Sequence, residues 1–229
     1  MNCLLLMGRV GLPTLLAALF SSAAFADVVI GQVLPLSGPQ AQNGRELAAG
    51  AKAYVDKVNA EGGVAGHKII YVTRDDAGDP TRTLVGASEL IARDKVLGLL
   101  EGASPAGVEA VVSSGMLRQN RVPMLGTLGG VGSPYGLAGG RPAGLIEISP
   151  PQNYVAPLLN EFKDALAKYG PPGETPGSVA LQGYISAKVL VGALRMLGPL
   201  PTREEFFGVV QNMIPDLSNR LVISTSASQ

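Results

Sequence analysis

The stretch Gly102-Ala103-Ser104-Pro105-Ala106 holds the serine of this chain best placed for nucleophilic chemistry, between strand-like and helix-like sequence. It comes close to the G-x-S-x-G turn, which exposes a serine nucleophile to a histidine that follows it in the chain. The single histidine, His67, precedes Ser104, so a serine hydrolase is excluded by the order of its parts. His67 follows Gly66 at the entrance to a strand and reads as an exposed turn residue. Asp75, Asp76 and Asp79 do not fall at calcium-loop spacing, and Asp79 before Pro80 reads as a helix N-cap. Capping and solvation, not a metal, are therefore expected there. The glycines at 126, 129, 130 and 132 lack both the G-x-G-x-x-G register opening a helix and a following G-K-[ST], so nucleotide binding is unsupported. No catalytic residue, metal site or cofactor is expected. What remains is Ser104 and Thr127, with the amides around them. Hydroxyls and N–H groups at helix starts suit a carboxylate; ordinary tight turns between strand and helix account for the same residues equally well.

Bulk properties narrow the class. Formal net charge is zero with no basic patch, which argues against nucleic-acid binding. Aromatics are 5% of the chain and tryptophan is absent, so stacking platforms for bases or sugars are not expected. The first 26 residues read as a signal peptide: Arg9 is an isolated early charge, Leu15 to Phe20 an apolar core, and Ala24-Phe25-Ala26 a small-x-small cleavage pattern. Met7 is an alternative start. From Asp27 onward there is no cysteine, which excludes disulfides, thiolate metal sites and cysteine nucleophiles there.

The elements that position Ser104 and Thr127 follow an alternating pattern. Strands are expected at Val28–Leu34, Lys68–Thr73, Val96–Leu100 and Val122–Leu125. Helices are expected at Gln42–Ala60, ending at Gly62-Gly63, from Asp79-Pro80, and at Ala106–Gln119. Strand–helix–strand units of this length imply an α/β fold with a parallel sheet and flanking helices. Ligands of such sheets bind beyond the carboxyl ends of the strands. The loops 35–44, 75–79, 101–107 and 126–133 therefore carry the interest.

The pattern then breaks, with eight glycines and two prolines between Gly126 and Gly144. Beyond it come a short strand, Leu145–Ser149, and helices aligned on Val155 to Leu166 and Val179 to Leu194. A third starts at Thr202-Arg203-Glu204-Glu205. The end, Leu217 to Gln229, is polar and reads as frayed.

LPLSGPQAQNG, AYVDKVNAEGGVAGHKI and VTRDDAGDPTRT, in this order, resemble the first lobe of type I periplasmic solute-binding proteins. Among these the chain is most similar to the branched-chain amino-acid binding proteins of ABC importers. GLIEISPPQNY, LAKYG and ALQGYISAKVLVGALRMLGPLPTREEF resemble the family's later part. The resemblance implies one lobe of a two-lobed α/β clamshell, a periplasmic location, an inner-membrane ABC permease as partner and a small amino-acid-like solute. It places ligand contacts at Asn43, at Ala103 and Ser104, and at Leu128, Gly129 and Gly130. Asn43 stands where relatives carry an aromatic, and Gly130 offers only backbone where a threonine hydroxyl often serves.

The resemblance also defines a shortfall. Between Tyr135 and Gly144 the family would carry most of its second lobe, about a hundred residues or more, a domain's worth of chain. The expected organisation is a signal peptide at 1–26, an α/β lobe at 27–133 and a glycine-rich junction at 134–144. A helical remainder at 145–216 and a disordered tail at 217–229 complete it. With the second lobe largely missing, solute would be held weakly or not at all, since small-molecule sites enclose most of their ligand. Two other readings stand beside a solute-binding component. One is an interaction or sensory module; the other is a non-functional product, left unstable by apolar faces that an absent lobe would have covered.

Overall fold

Val28–Leu34 (β1) is apolar along almost its whole length, as a strand covered on both faces must be. The computed structural model describes residues 27–100, 102–126, 145–147, 156–211, 213–216 and 222–225. In them β1 is followed by α1 (Ala41–Ala60), β2 (Ile69–Asp75), α2 (Pro80–Ala92), β3 (Gly98–Leu100), α3 (Pro105–Ser113), α4 (Met116–Gln119) and β4 (Met124–Gly126). Beyond the glycine-rich stretch come β5 (Leu145–Glu147), α5 (Ala156–Tyr169), α6 (Ser178–Arg195), α7 (Arg203–Gln211), β6 (Met213–Asp216) and β7 (Val222–Thr225).

The first five strands form one sheet in the order β2-β1-β3-β4-β5. Every pairing in it is parallel: Ile30 lies opposite Tyr71 on one side and Gly98 on the other, and Leu125 opposite Ile146. This is the expected parallel-sheet α/β lobe, and the described residues form a single lobe. Two apolar layers sandwich the sheet. On one face Val28, Ile30, Leu100 and Leu125 pack with Tyr54, Val55 and Val58 of α1, Phe162 of α5, Tyr184 and Leu190 of α6, and Phe206 of α7. On the other, Val33, Leu99 and Met124 pack with Leu90 of α2, Val108 and Val111 of α3, and Leu117 of α4.

The helices after the glycine-rich stretch complete the first layer. A Cβ on Gly50 of α1 would overlap the carbonyl oxygen of Ala180, and one on Gly183 of α6 would overlap that of Leu47. Two helix backbones approach this closely only where a glycine faces the partner's backbone at each contact. Arg203, at the start of α7, donates to the carbonyls of Ile91 (2.7 Å) and Val96 (3.0 Å), tying α7 to the link between α2 and β3. The large hydrophobic side chains exposed among the described residues are Ile70, Val85, Met196 and Leu200, so α5 and α6 present no uncovered apolar face.

Three expectations change. The single helix expected over Ala106–Gln119 is two, because Gly115 takes a left-handed conformation (φ 74°) between α3 and α4. His67 is buried, at 2% exposure, and not an exposed turn residue. Its backbone exchanges hydrogen bonds with Val64 (2.8 and 2.9 Å), and this tight return draws the imidazole inward. In the end read as frayed, Val222–Thr225 pairs antiparallel with Met213–Asp216. Its Val-Ile-Ser-Thr run has the β-branched character that strands favour, which overall polarity conceals.

Candidate functional site

In the sheet, β1 is the strand from which the chain departs in both directions, to β2 on one side and β3 on the other. Because α1 packs on one face and α3 on the other, the ends of β1 and β3 border a crevice at a topological switch point. Each helix runs back from its strand, so the N-termini of α1 and α3 stand at this same end of the sheet.

The loop that leaves β1 is held by Asp75, the last residue of β2. One carboxylate oxygen of Asp75 accepts the N–H groups of Leu36 (2.9 Å), Ser37 (3.1 Å) and Ala77 (2.9 Å). The other accepts the Ser37 hydroxyl at 2.6 Å. These bonds, the Ser37 hydroxyl first, hold the exposed Asp75 carboxyl down at about 2. From the other side, Arg45 Nη1 donates to the Leu36 carbonyl at 3.0 Å. Gly44 lets α1 start directly against Pro35, where a Cβ would overlap the Pro35 carbonyl oxygen.

The two helix starts differ in capping but share their electrostatics. At α1 the capping position is Gln40, whose side chain makes no bond to the helix, and no acidic residue lies in the first turn. At α3 the cap is Ser104, whose Oγ accepts the Gly107 N–H at 3.3 Å, and again the first turn holds no acidic residue. Neither N-terminus thus has an acidic side chain in its own first turn to offset its partial positive charge. Since Ser104 Oγ acts as acceptor toward the helix, its hydroxyl hydrogen is left to donate elsewhere.

The site residues expected from sequence fall as follows. Asn43 is exposed in the first turn of α1, Ala103 is half-buried just ahead of α3, and Ser104 is buried at 7% exposure as the α3 cap. The structure brings these to the same end of the sheet. Thr127, Leu128, Gly129 and Gly130 lie outside the described residues. Of the three aspartates, Asp79 is the helix cap, at the start of α2, while Asp75 and Asp76 bond within the loops around it. Asp79 accepts the Thr81 and Arg82 N–H groups, and buried Asp76 accepts the Thr83 hydroxyl (2.7 Å) and the Gly78 N–H (2.8 Å). No cluster of metal-ligating side chains occurs among the described residues. What sequence reasoning missed is Asp75: its partners lie nearly forty positions earlier, and only the β1–β2 pairing brings them together.

A cavity of about 450 Å³ lies elsewhere, along α1 and the edge strand β2. Arg45, Lys52, Asp56, Tyr71 and Glu174 are among its lining residues. Only Leu36 and Arg45 connect it with the strand-end crevice.

A family model described as periplasmic binding protein matches residues 27–143, just over half the chain. The chain belongs to the periplasmic binding protein family. That family consists of binding proteins, not enzymes, and its members are periplasmic. Leu/Ile/Val-binding protein homolog 3 of Brucella melitensis is 36% identical over 106 residues, which span 46% of this chain and 28% of the relative. Leu/Ile/Val-binding protein BraC3 of Rhizobium johnstonii is 35% identical over 119 residues, 50% of this chain and 32% of the relative. The matched segment thus covers about a third or less of these relatives. A possible leucine/isoleucine/valine-binding protein from Rhodopirellula baltica shares the fold, with a TM-score of 0.70 at 13% identity over 90% of this chain and 91% of that one.

Proposed function

We propose that this periplasmic binding protein is the solute-binding component of an ABC importer, delivering its solute to an inner-membrane permease. The solute is a branched-chain amino acid or a related small polar molecule. The observation that carries this reading is the pair of helix N-termini, α1 and α3, without acidic first turns at the ends of β1 and β3. An amino acid's carboxylate is the group such an arrangement favours, through free amides and helix dipoles. In this reading Asn43, Ala103 and Ser104, with Thr127, Leu128, Gly129 and Gly130, form the ligand-binding set. Ser104 donates its hydroxyl hydrogen to the carboxylate. The names of the Brucella and Rhizobium relatives support the choice of solute.

One lobe contacts a solute from one side, and polar groups that stay hydrated give little net affinity. The expected dissociation constant is on the order of a millimolar, about −4 kcal/mol. Calorimetric titration of the protein with a panel of amino acids tests the reading. Saturable binding of leucine, isoleucine or valine supports it, and no binding of any amino acid at tens of millimolar rejects it.

A further inference from the structure

We infer that Asp75, outside the ligand-binding set itself, is the positioning residue that fixes the Leu36–Asn43 floor of the solute site in its binding geometry. The inference rests on the function proposed above. Asp75 closes β2, yet three of its four hydrogen-bond donors are on Leu36 and Ser37, in the loop that opens α1. The fourth, the Ala77 N–H, belongs to its own loop, so one side chain joins both strand-end loops. Arg82 Nη2 donates to the Asp75 carbonyl at 3.0 Å and fixes the residue from the α2 side.

The chemistry suits a positioning role and not a contact role. A carboxylate facing the solute would repel the solute's own carboxylate, but both Asp75 oxygens are occupied by donors from the protein. Held at about 2, the carboxyl stays ionised at and well below neutral pH, so the clamp does not open with modest pH change. Beyond buried Pro35 and half-buried Leu36, the loop residues Ser37 to Gln40 are exposed and contribute little apolar burial of their own. Without the clamp they would sample many conformations, and a solute would have to order them on binding.

The test compares Asp75→Ala and Asp75→Asn with Glu205→Ala. The last removes a comparable exposed cap, in which Glu205 accepts the Thr202 N–H and hydroxyl (both 2.8 Å) at the far helix α7. Leucine affinity, thermal unfolding and amide hydrogen exchange are read for each. Asp75→Ala is expected to weaken leucine about tenfold through lost preorganisation. It should also strip protection from the Leu36, Ser37 and Ala77 amides. Asp75→Asn, which keeps an oxygen acceptor, is expected to fall between Asp75→Ala and wild type. Glu205→Ala should lower the melting temperature comparably and leave leucine affinity within twofold. Unchanged leucine affinity in Asp75→Ala, where wild type binds, overturns the positioning role alone. Equal loss of affinity in Glu205→Ala also overturns it, because general destabilisation would then explain both. If wild type binds no amino acid, the proposed function falls and takes the role in binding with it.

Discussion

Gly50 of α1 rests against the carbonyl of Ala180 in α6 with no room for a side chain between them. The two residues stand on opposite sides of the glycine-rich stretch, 130 positions apart in sequence. Their contact makes the segments before and after that stretch one packed body. The helices α5 to α7 are thus walls of the lobe that carries the candidate site.

Gly50→Ala is expected to force α1 and α6 apart. Overpacking of this kind typically costs about 1–3 kcal/mol, and here the obstacle is backbone, which yields poorly. Gly208 in α7 has open space at its Cβ position, so Gly208→Ala should be neutral or stabilising by about 0.5–1 kcal/mol through helix propensity. Urea unfolding of the two variants beside wild type checks both signs.

Acid stability should depend on Glu161. Burial, the largest single influence, raises its carboxyl, but the Lys188 ammonium, the Tyr184 hydroxyl (3.0 Å) and the Lys57 ammonium (3.5 Å) together outweigh it. The folded-state value therefore lies below the unfolded one of about 4.3. A carboxyl lowered in this way contributes stability that is fully present above the unfolded value and is lost as pH falls through the folded one. Stability measured from pH 6 downward should decline, and Glu161→Gln should flatten that decline while lowering stability at pH 7.

Ser104→Ala removes the α3 cap and should lower unfolding free energy by about 1 kcal/mol. It should also weaken leucine binding, because it deletes the hydroxyl donor along with the cap. Ser104→Asp restores a cap but places a negative charge at the helix start. It should regain stability while losing leucine binding further. Thermal unfolding and titration of both variants separate the two roles.

Much of the fold was legible because its signals are local. The apolar run of β1, the helical spacing of Leu47, Ala51, Tyr54 and Val58, and the Asp79-Pro80 start of α2 each announce an element within a few residues. Relations between distant residues were not legible. Gly50 and Gly183 look like ordinary small residues on a helix until the partner helix is in place. His67 gave no hint of burial, because the tight return from Val64 that draws it inward is a backbone event. Asp75 sat among three aspartates with nothing in the sequence to separate it from Asp76 and Asp79. Of the candidate site, alternation alone made the loops 35–44 and 101–107 legible on one side of a parallel sheet, with Ser104 singled out among their residues, whereas Asn43 and Ala103 followed only from the family resemblance.

The central claim is that solute meets this lobe at the β1 and β3 ends, between the starts of α1 and α3. Amide shift mapping during a leucine titration tests it most directly. The account predicts saturable shifts concentrated at Leu36–Asn43 and Ala103–Gly107, with a dissociation constant on the order of a millimolar. Saturable shifts confined to the Tyr71 and Glu174 cavity, or no saturable shifts at all, would contradict it.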